Sequence, residues 1–312
     1  MATAEHATGP VDEQGAPRCA VIALIGAPNA GKSTLLNQLV GTKVSIVTHK
    51  VQTTRSRLRG IAIEGNTQLV LTDTPGIFTP RRRLDRAMVD AAWAGASDAD
   101  VTLFLIDAAK GLQEDDAHIL ERLAKHPGRW ALVLNKVDLV DKKLLLRIVE
   151  ETRERAEPDA VFMLSALTGD GVNALRDYLV AHAPEGPWLF PEDQISDAPL
   201  RFAAAEITRE KLYLRLHQEL PYASTVETTS WQERKDGSIR IEQTIFVERE
   251  SQRKIVIGKG GQTIKAISMD ARREISQMVD APVHLFLFVK VRPRWGDDPE
   301  RYREMGLDFP RE

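Results

Sequence analysis

The chain has 312 residues, 43% of them apolar and 28% charged, which is enough apolar material for two packed cores of ordinary domain size. A formal net charge of -3 excludes an overall positive field as the means of attracting nucleic acid, so any such surface has to be local. The single cysteine, Cys19, excludes an intramolecular disulfide and fits a reducing compartment, and no apolar run reaches the roughly 18 residues of a membrane span.

Residues 1–17 mix Glu5, Asp12 and Glu13 with Gly and Pro and lack both a basic start and an apolar stretch, so they read as a disordered tail and not as a signal peptide. From residue 18 short Val/Ile/Leu runs alternate with helical patterns, the rhythm of a mostly parallel sheet covered by helices on both faces. The expected strands are Ala20–Ile25, Arg59–Ile63, Leu69–Thr72, Val101–Ile106, Ala131–Leu134 and Val161–Leu164. Gly65-Asn66 leaves so short a connection between the second and third that these two must run antiparallel. This α/β domain is expected over 18–183, with a six-stranded sheet carrying one reversed strand.

Pro184, Pro187, Pro191 and Pro199 then interrupt any helix, and 184–199 reads as a stiff, extended linker. Beyond it, over 200–312, the pattern is a helix near Leu200–Leu220, strands at Ser224–Gln232 and Ser238–Val247 joined through Lys235-Asp236-Gly237, two helices flanking Gly258–Gly261, and a last strand at Val283–Val291. That order makes a smaller α+β domain with a carboxy-terminal extension.

Gly26-Ala27-Pro28-Asn29-Ala30-Gly31-Lys32-Ser33, with Thr34 behind it, has the spacing of a phosphate-binding loop between a strand and a helix. Such a loop curls so that successive N–H groups and the helix dipole meet phosphate oxygens; Lys32 reaches the β- and γ-phosphates and the Ser33 hydroxyl binds Mg²⁺. Asp73-Thr74-Pro75-Gly76, at the end of the third strand and followed by Ile77, places a carboxylate towards the metal and a glycine N–H towards the γ-phosphate. Asn135-Lys136-Val137-Asp138 selects the base: Asp138 accepts from the guanine imino and amino groups, and adenine has neither donor there. Ser165-Ala166-Leu167 completes the base pocket with a backbone N–H. Within Lys43–Arg57, the run Gln52-Thr53-Thr54-Arg55 offers a hydroxyl to Mg²⁺ when a γ-phosphate draws the loop inward, and Thr54 is preferred to Thr53.

Gly258-Lys259-Gly260-Gly261 between two helices is a G-x-x-G loop that lets an RNA backbone approach closely, beside a groove for about four unpaired nucleotides. Lys254, Lys259 and Lys265 add charge. Arg253 adds charge as well, whereas Asp270 and Glu274 are interspersed with Arg272 and Arg273, and a solvated helix face accounts for either of those two equally well. Trp295 either stacks on a base or caps the core, with capping preferred. His49, His118, His182 and His284 lack metal-ligand spacing, Asp107 reads as a turn residue, and Arg81-Arg82-Arg83 as a solvated helix start.

Taken in order, these motifs resemble those of translation-factor-related GTPases, and with the carboxy-terminal segment they resemble the Era family over nearly the whole chain from Arg18. The resemblance implies a GTPase domain followed by a type II KH domain that binds the 3′ end of 16S ribosomal RNA and assists maturation of the 30S subunit. It also implies association with both the cytoplasm and the inner membrane face, but the sequence shows no lipidation motif or amphipathic anchor to mediate peripheral membrane contact; a monomer is expected. Ras-like GTPases carry a water-orienting Gln where this chain has Ile77, which cannot hold a water. Era-like proteins resemble a group that uses K⁺ held partly by a phosphate-loop Asn, matched here by Asn29. Unassisted turnover is then expected on the order of 10⁻⁴ to 10⁻² s⁻¹. The alternative is an RNA-binding chaperone whose nucleotide site does not cycle.

Overall fold

The computed structural model describes residues 15–50, 53–216 and 220–310; residues 1–14 of the expected tail, Gln52, and part of the expected Leu200–Leu220 helix lie outside the described residues. The chain divides into two compact units. One comprises the residues up to Ser45, Thr54–Asp197 and those from Met305, and the other comprises Ile46–Thr53 with Ala198–Glu304.

The elements of the first unit are β1 (Arg18–Ile25), α1 (Lys32–Val40), β2 (Leu58–Glu64), β3 (Thr67–Asp73), α2 (Arg83–Ser97), β4 (Val101–Asp107), α3 (Glu114–Leu123), β5 (Arg129–Asn135), α4 (Lys142–Arg153), β6 (Ala160–Leu164) and α5 (Val172–Ala181). They form a six-stranded sheet of order β2-β3-β1-β4-β5-β6, in which only β2 is antiparallel to its neighbour. Period-two alternation decides which helix each strand residue meets. Ile22 and Leu24 pack with Leu35, Leu36 and Leu39 of α1 and Leu175 and Leu179 of α5. Ala23 and Ile25 face the opposite way and pack with Trp93 of α2, Ile119 and Leu120 of α3 and Ile148 of α4. Because both faces are covered, β3 and β4 are buried at every position, which is why Leu69–Leu71 and Leu103–Ile106 read as unbroken apolar runs.

The parallel strands all point their carboxyl ends the same way, and every nucleotide motif follows such an end. The proline-rich segment expected to be an extended linker contains bends and a turn and is fastened to the first unit. Glu185 bridges to Arg18 and Ser196 to Gly60. The carboxamide of the buried Gln68 accepts from the N–H groups of Leu189 and Phe190 (2.9 and 3.1 Å) and donates to the Phe190 carbonyl (2.8 Å). A polar side chain inside a buried strand needs such partners.

In the second unit α6 (Leu200–Arg215), β7 (Ser224–Glu233), β8 (Ile239–Val247), α7 (Glu250–Ile257), α8 (Gln262–Met278), β9 (Val283–Val291) and α9 (Pro299–Glu304) follow in order. Its sheet has the order β7-β8-β9, with β7 antiparallel and β9 parallel to the central β8. Ile241, Ile245 and Val247 of β8 and Leu285 of β9 pack against residues of α6, α7 and α8, so the helices cover one face. The first helix ends at Arg215, short of the expected Leu220, because Leu216 is already extended; Pro221 further along keeps the residue before it out of the helical region. Trp295 caps the core: it is 2% exposed and its indole N–H donates to the Ala223 carbonyl (3.0 Å).

One buried carboxylate sets a pH response. Asp116 occupies the first turn of α3 and accepts from the Gln113 N–H (3.1 Å), while its other oxygen is buried without a hydrogen-bond partner among the described residues. Burial pushes its pKa up from 3.8 to about 6. The folded chain therefore holds this proton more tightly than the unfolded chain, so stability falls as pH rises from 3.8 to about 6 and stays lowered above that. Asp116→Asn keeps an acceptor for Gln113 and removes the charge. Urea unfolding is expected to show the variant roughly 1–3 kcal/mol more stable at about pH 7.5, with the gain vanishing towards about pH 4; a gain independent of pH contradicts the assignment.

Candidate functional site

The turn between β1 and α1 is built to receive phosphate. Gly26 (φ 148) must be glycine, since an added Cβ would stand 2.4 Å from the Leu105 carbonyl oxygen. Asn29 (φ 66) and Gly31 (φ 99) also lie in the left-handed region, and the loop curls over the amino end of α1. Inside the curl the Lys32 ammonium donates to the carbonyls of Gly26 and Ala27, each at 3.0 Å. Lys32 is 6% exposed, and burial lowers its pKa to about 8 against the opposing pull of Asp73 and Asp116. A loop of donors around a buried cation suits a polyanion. Thr34 lies on the first turn of α1.

Asp73 ends β3 beside Ser33. Its Oδ2 accepts from the hydroxyls of Ser33 (2.6 Å), Ser45 (2.6 Å) and Thr54 (3.1 Å), and the Ser33 and Thr54 hydroxyls are 3.0 Å apart. Burial raises the Asp73 pKa, and these hydroxyls together with Lys32 oppose the rise. Asp73 Oδ1 is buried with no hydrogen-bond partner among the described residues. An orphaned carboxylate oxygen next to clustered hydroxyls is the donor set of a hard divalent cation that takes its remaining ligands from phosphate and water, and Mg²⁺ fits it. Of the two adjacent threonines, Thr54 brings its hydroxyl to this carboxylate. The Thr53 hydroxyl bonds Thr48 (2.6 Å) and the Lys50 carbonyl (2.7 Å).

Beyond Asp73 the Thr74 hydroxyl donates to the Leu24 carbonyl (2.6 Å), and the Ile77 N–H donates to the Gly26 carbonyl (3.0 Å). Pro75 and Gly76 are thereby held over the phosphate loop; a Cβ on Gly76 would come within 2.9 Å of the Pro28 ring. The Ile77 side chain is in the core with Ala92 and Trp93 and presents no polar atom to a water.

The segments expected to hold the base are fixed from one amide. Asn135, at the end of β5, donates to the Ala30 carbonyl (2.8 Å) and accepts from the N–H groups of Ala166 (2.9 Å) and Lys136 (2.8 Å). Lys136 turns the chain (φ 65) and its ammonium bonds Asp107 Oδ2 (2.6 Å). The short turn Val137–Leu139 then carries Asp138 with its carboxylate exposed. Ser165 is buried, with its hydroxyl accepting from the Thr168 N–H (3.3 Å), and Leu167 is exposed.

Sequence reasoning missed Ser45 and the residue that holds it. The Asn37 carboxamide oxygen accepts from the N–H groups of Val44 and Ser45 (both 2.8 Å), and its nitrogen donates to the Ser45 carbonyl (2.8 Å). A lone serine in a polar loop carries no spacing signal. Asp107 does accept from the Ala109 N–H (3.2 Å) as a turn residue, and it also anchors Lys136.

In the second unit the G-x-x-G segment links α7 to α8. Gly258 (φ 77) cannot carry a side chain, since its Cβ would be 2.2 Å from the Thr263 hydroxyl. Gly260 (φ 59) and Gly261 (φ 79) face open space ahead of the amino end of α8. Lys254, Lys259 and Lys265 are exposed around this loop. Arg253 pairs with Glu250 (2.8 Å) and Arg273 with Asp270 (3.2 Å), as on a solvated helix face.

Residues 21–136 match the family model described as 50S ribosome-binding GTPase, and residues 219–296 match the KH domain. The chain is 64% identical over 304 residues to GTPase Era of Afipia carboxidovorans, covering 96% of this chain and 98% of that protein. It is 62% identical over 310 residues to GTPase Era of Bradyrhizobium sp. strain BTAi1, covering 99% and 100%. Among solved structures, Era in complex with MgGDPNP and nucleotides 1506-1542 of 16S ribosomal RNA superposes with a TM-score of 0.89 at 38% identity, covering 93% of this chain and 99% of that one. A point variant of Aquifex aeolicus Era bound to GDP.AlF4- gives 0.88 at 38% identity, with the same coverage. Matched by both domain models and by these relatives along almost its whole length, the chain belongs to the Era family of GTPases.

Proposed function

We propose that this GTPase is a switch that carries the 3′ end of 16S ribosomal RNA on its KH domain and assists maturation of the 30S subunit. One observation carries the nucleotide half: the Asn135 amide joins Ala30 of the phosphate loop to Ala166 of the base loop, so both ends of a nucleotide meet one rigid frame. The RNA half is supported by the matched KH domain and by the 38% identical Era solved with a 16S fragment.

In this reading water attacks the γ-phosphorus in line, an oxygen–phosphorus bond forms, and the bond to the β–γ bridging oxygen breaks. Lys32 exchanges its carbonyl partners for phosphate oxygens, whose charge favours its protonated form. Gly76 offers its N–H to the γ-phosphate. Ser33, Thr54 and Asp73 hold Mg²⁺, which when bound neutralises charge on the β- and γ-oxygens. Ser45 and Thr54, which bond Asp73 directly in the described conformation, are the hydroxyls that rearrange when that carboxylate turns to a metal. Asp138 accepts from the guanine ring, with the Ser165-Ala166-Leu167 backbone beside it.

Ile77 leaves the attacking water without a side-chain partner from that position, and Asn29 supplies the compensation by helping to hold K⁺. An uncharged amide oxygen is the donor type that replaces the hydration shell of this ion. The same reading places the protein in the cytoplasm as a monomer, with any contact at the inner membrane face peripheral; no helix among the described residues is long and apolar enough to cross a membrane.

Multiple-turnover hydrolysis is expected to run faster in K⁺ than in Na⁺ buffer of equal ionic strength, and Asn29→Ala to abolish the difference; equal rates for the parent chain contradict the K⁺ assignment. Crosslinking followed by RNA sequencing should recover the 3′ end of 16S ribosomal RNA with the parent chain. Gly260→Asp, whose added Cβ meets no atom within 4 Å although the left-handed backbone strains any side chain there, is expected to weaken that RNA roughly tenfold or more by placing a carboxylate at the phosphate track. Recovery of no particular transcript, or no loss in the variant, contradicts the RNA half.

A further inference from the structure

The KH sheet has a second face. Ile239, Ile241, Ile245 and Val247 of β8 and Val283 and Leu285 of β9 turn towards the helices, so the alternate residues point away from them. On β9, the free edge strand, those alternates are His284, Phe286, Phe288 and Lys290, and all four are exposed. Phe286 is 40% and Phe288 47% exposed. Opposite them in register on β8 stand Arg240, Glu242, Thr244 and Phe246.

This face is covered near Phe246, and Thr244 next to it in the outer row is 2% exposed. The Arg301 guanidinium of α9 lies 4.3 Å from the Phe246 ring centre and pairs with Glu227. At the uncovered end, Arg240 stacks 4.3 Å over the Phe286 ring while bonding Glu242 (2.6 Å). Both carboxylates of the face are thus already matched by an arginine. Lys290 makes no ion pair with a described residue, and the face and its covered end carry Arg240, Lys290, Arg292 and Arg301 against Glu227, Glu242 and Asp298. Two aromatic rings spaced two residues apart on a strand stand about 7 Å from each other; Arg240 lies over one face of Phe286, so a splayed base meets that ring on its remaining exposed side, and a second meets Phe288. A polyanion is the occupant that complements the surplus positive charge, and a base is the part of it that complements an exposed ring.

We propose that this outer face of β8 and β9, with Phe286 and Phe288 as stacking surfaces and Lys290 as the backbone contact, is a second binding site for unpaired RNA. The site is on the opposite side of the sheet from α7, α8 and their G-x-x-G loop. It extends the path of a single strand beyond the nucleotides that the loop can hold, and it rests on the reading of the KH unit as RNA-binding.

The test uses the full chain and a labelled 20-nucleotide polyuridine, with binding read by fluorescence anisotropy and contacts read by 4-thiouridine crosslinking and peptide mapping. Phe286→Ala with Phe288→Ala is expected to weaken the RNA about tenfold, Phe288→Trp to retain the affinity of the parent, and GTP turnover to be unchanged in both. Crosslinks should map to 285–290, and those crosslinks should survive in Gly260→Asp. Parent affinity in the double alanine variant, or crosslinks confined to α7 and α8, overturns the second site and leaves the first intact. A concentration-dependent dimer lost in the double variant overturns it too, by assigning the face to a second copy of the chain. Failure of the parent chain to bind any RNA removes the underlying reading instead.

Discussion

The arrangement depends on one buried carboxamide. Asn135 sits at the end of β5, and its two polar atoms bond the Ala30 carbonyl on one side and the Ala166 N–H on the other. In a buried setting a carboxamide that lost either partner would leave a polar group unsatisfied, at a cost of roughly 1–3 kcal/mol, so the three loops keep one mutual geometry. That geometry gives the phosphate loop and the base-selecting turn a common reference. A Cβ on Gly31 would strike the Asn135 carboxamide at 2.0 Å, so the glycine of the loop is demanded by this same contact.

The metal side of the site obeys a different constraint. Asp73 is fully buried, and a buried carboxylate has to be bonded or neutralised. In the described conformation three hydroxyls meet one of its oxygens, while the other has no partner among the described residues. Two of those hydroxyls, from Ser45 and Thr54, belong to the loop between α1 and β2, so the chemistry at one carboxylate is linked to the path of that loop. Under the proposed function, a cation arriving at Asp73 would compete with these side-chain hydroxyls for the carboxylate.

Much of this was legible in the sequence because the physical signals are local. Unbroken apolar runs located β1, β3, β4 and β5, since strands covered on both faces need no polar alternation, and the two-residue turn at Gly65-Asn66 fixed the reversal of β2. The phosphate loop and Asp138 stand out because their chemistry requires fixed spacing. Contacts between distant segments left no such trace. The fastening of Leu189 and Phe190 to Gln68 could not be read, because a glutamine inside an apolar strand looks the same whether or not a partner arrives. Nor could Ser45, which becomes part of the site only through the clasp of Asn37. The helical pattern runs on towards Leu220, whereas α6 stops at Arg215, because local propensity yields to tertiary context at a helix end.

The central claim is that guanine is selected by the carboxylate of Asp138. Titration calorimetry of Asp138→Asn with GTP and with xanthosine triphosphate tests it most directly. Loss of two charge-assisted hydrogen bonds, worth roughly 1.5–3 kcal/mol each, should lower GTP affinity by about a hundredfold or more and turn preference to the xanthine base. GTP bound as tightly as by the parent chain, with no gain for the xanthosine nucleotide, would contradict the account.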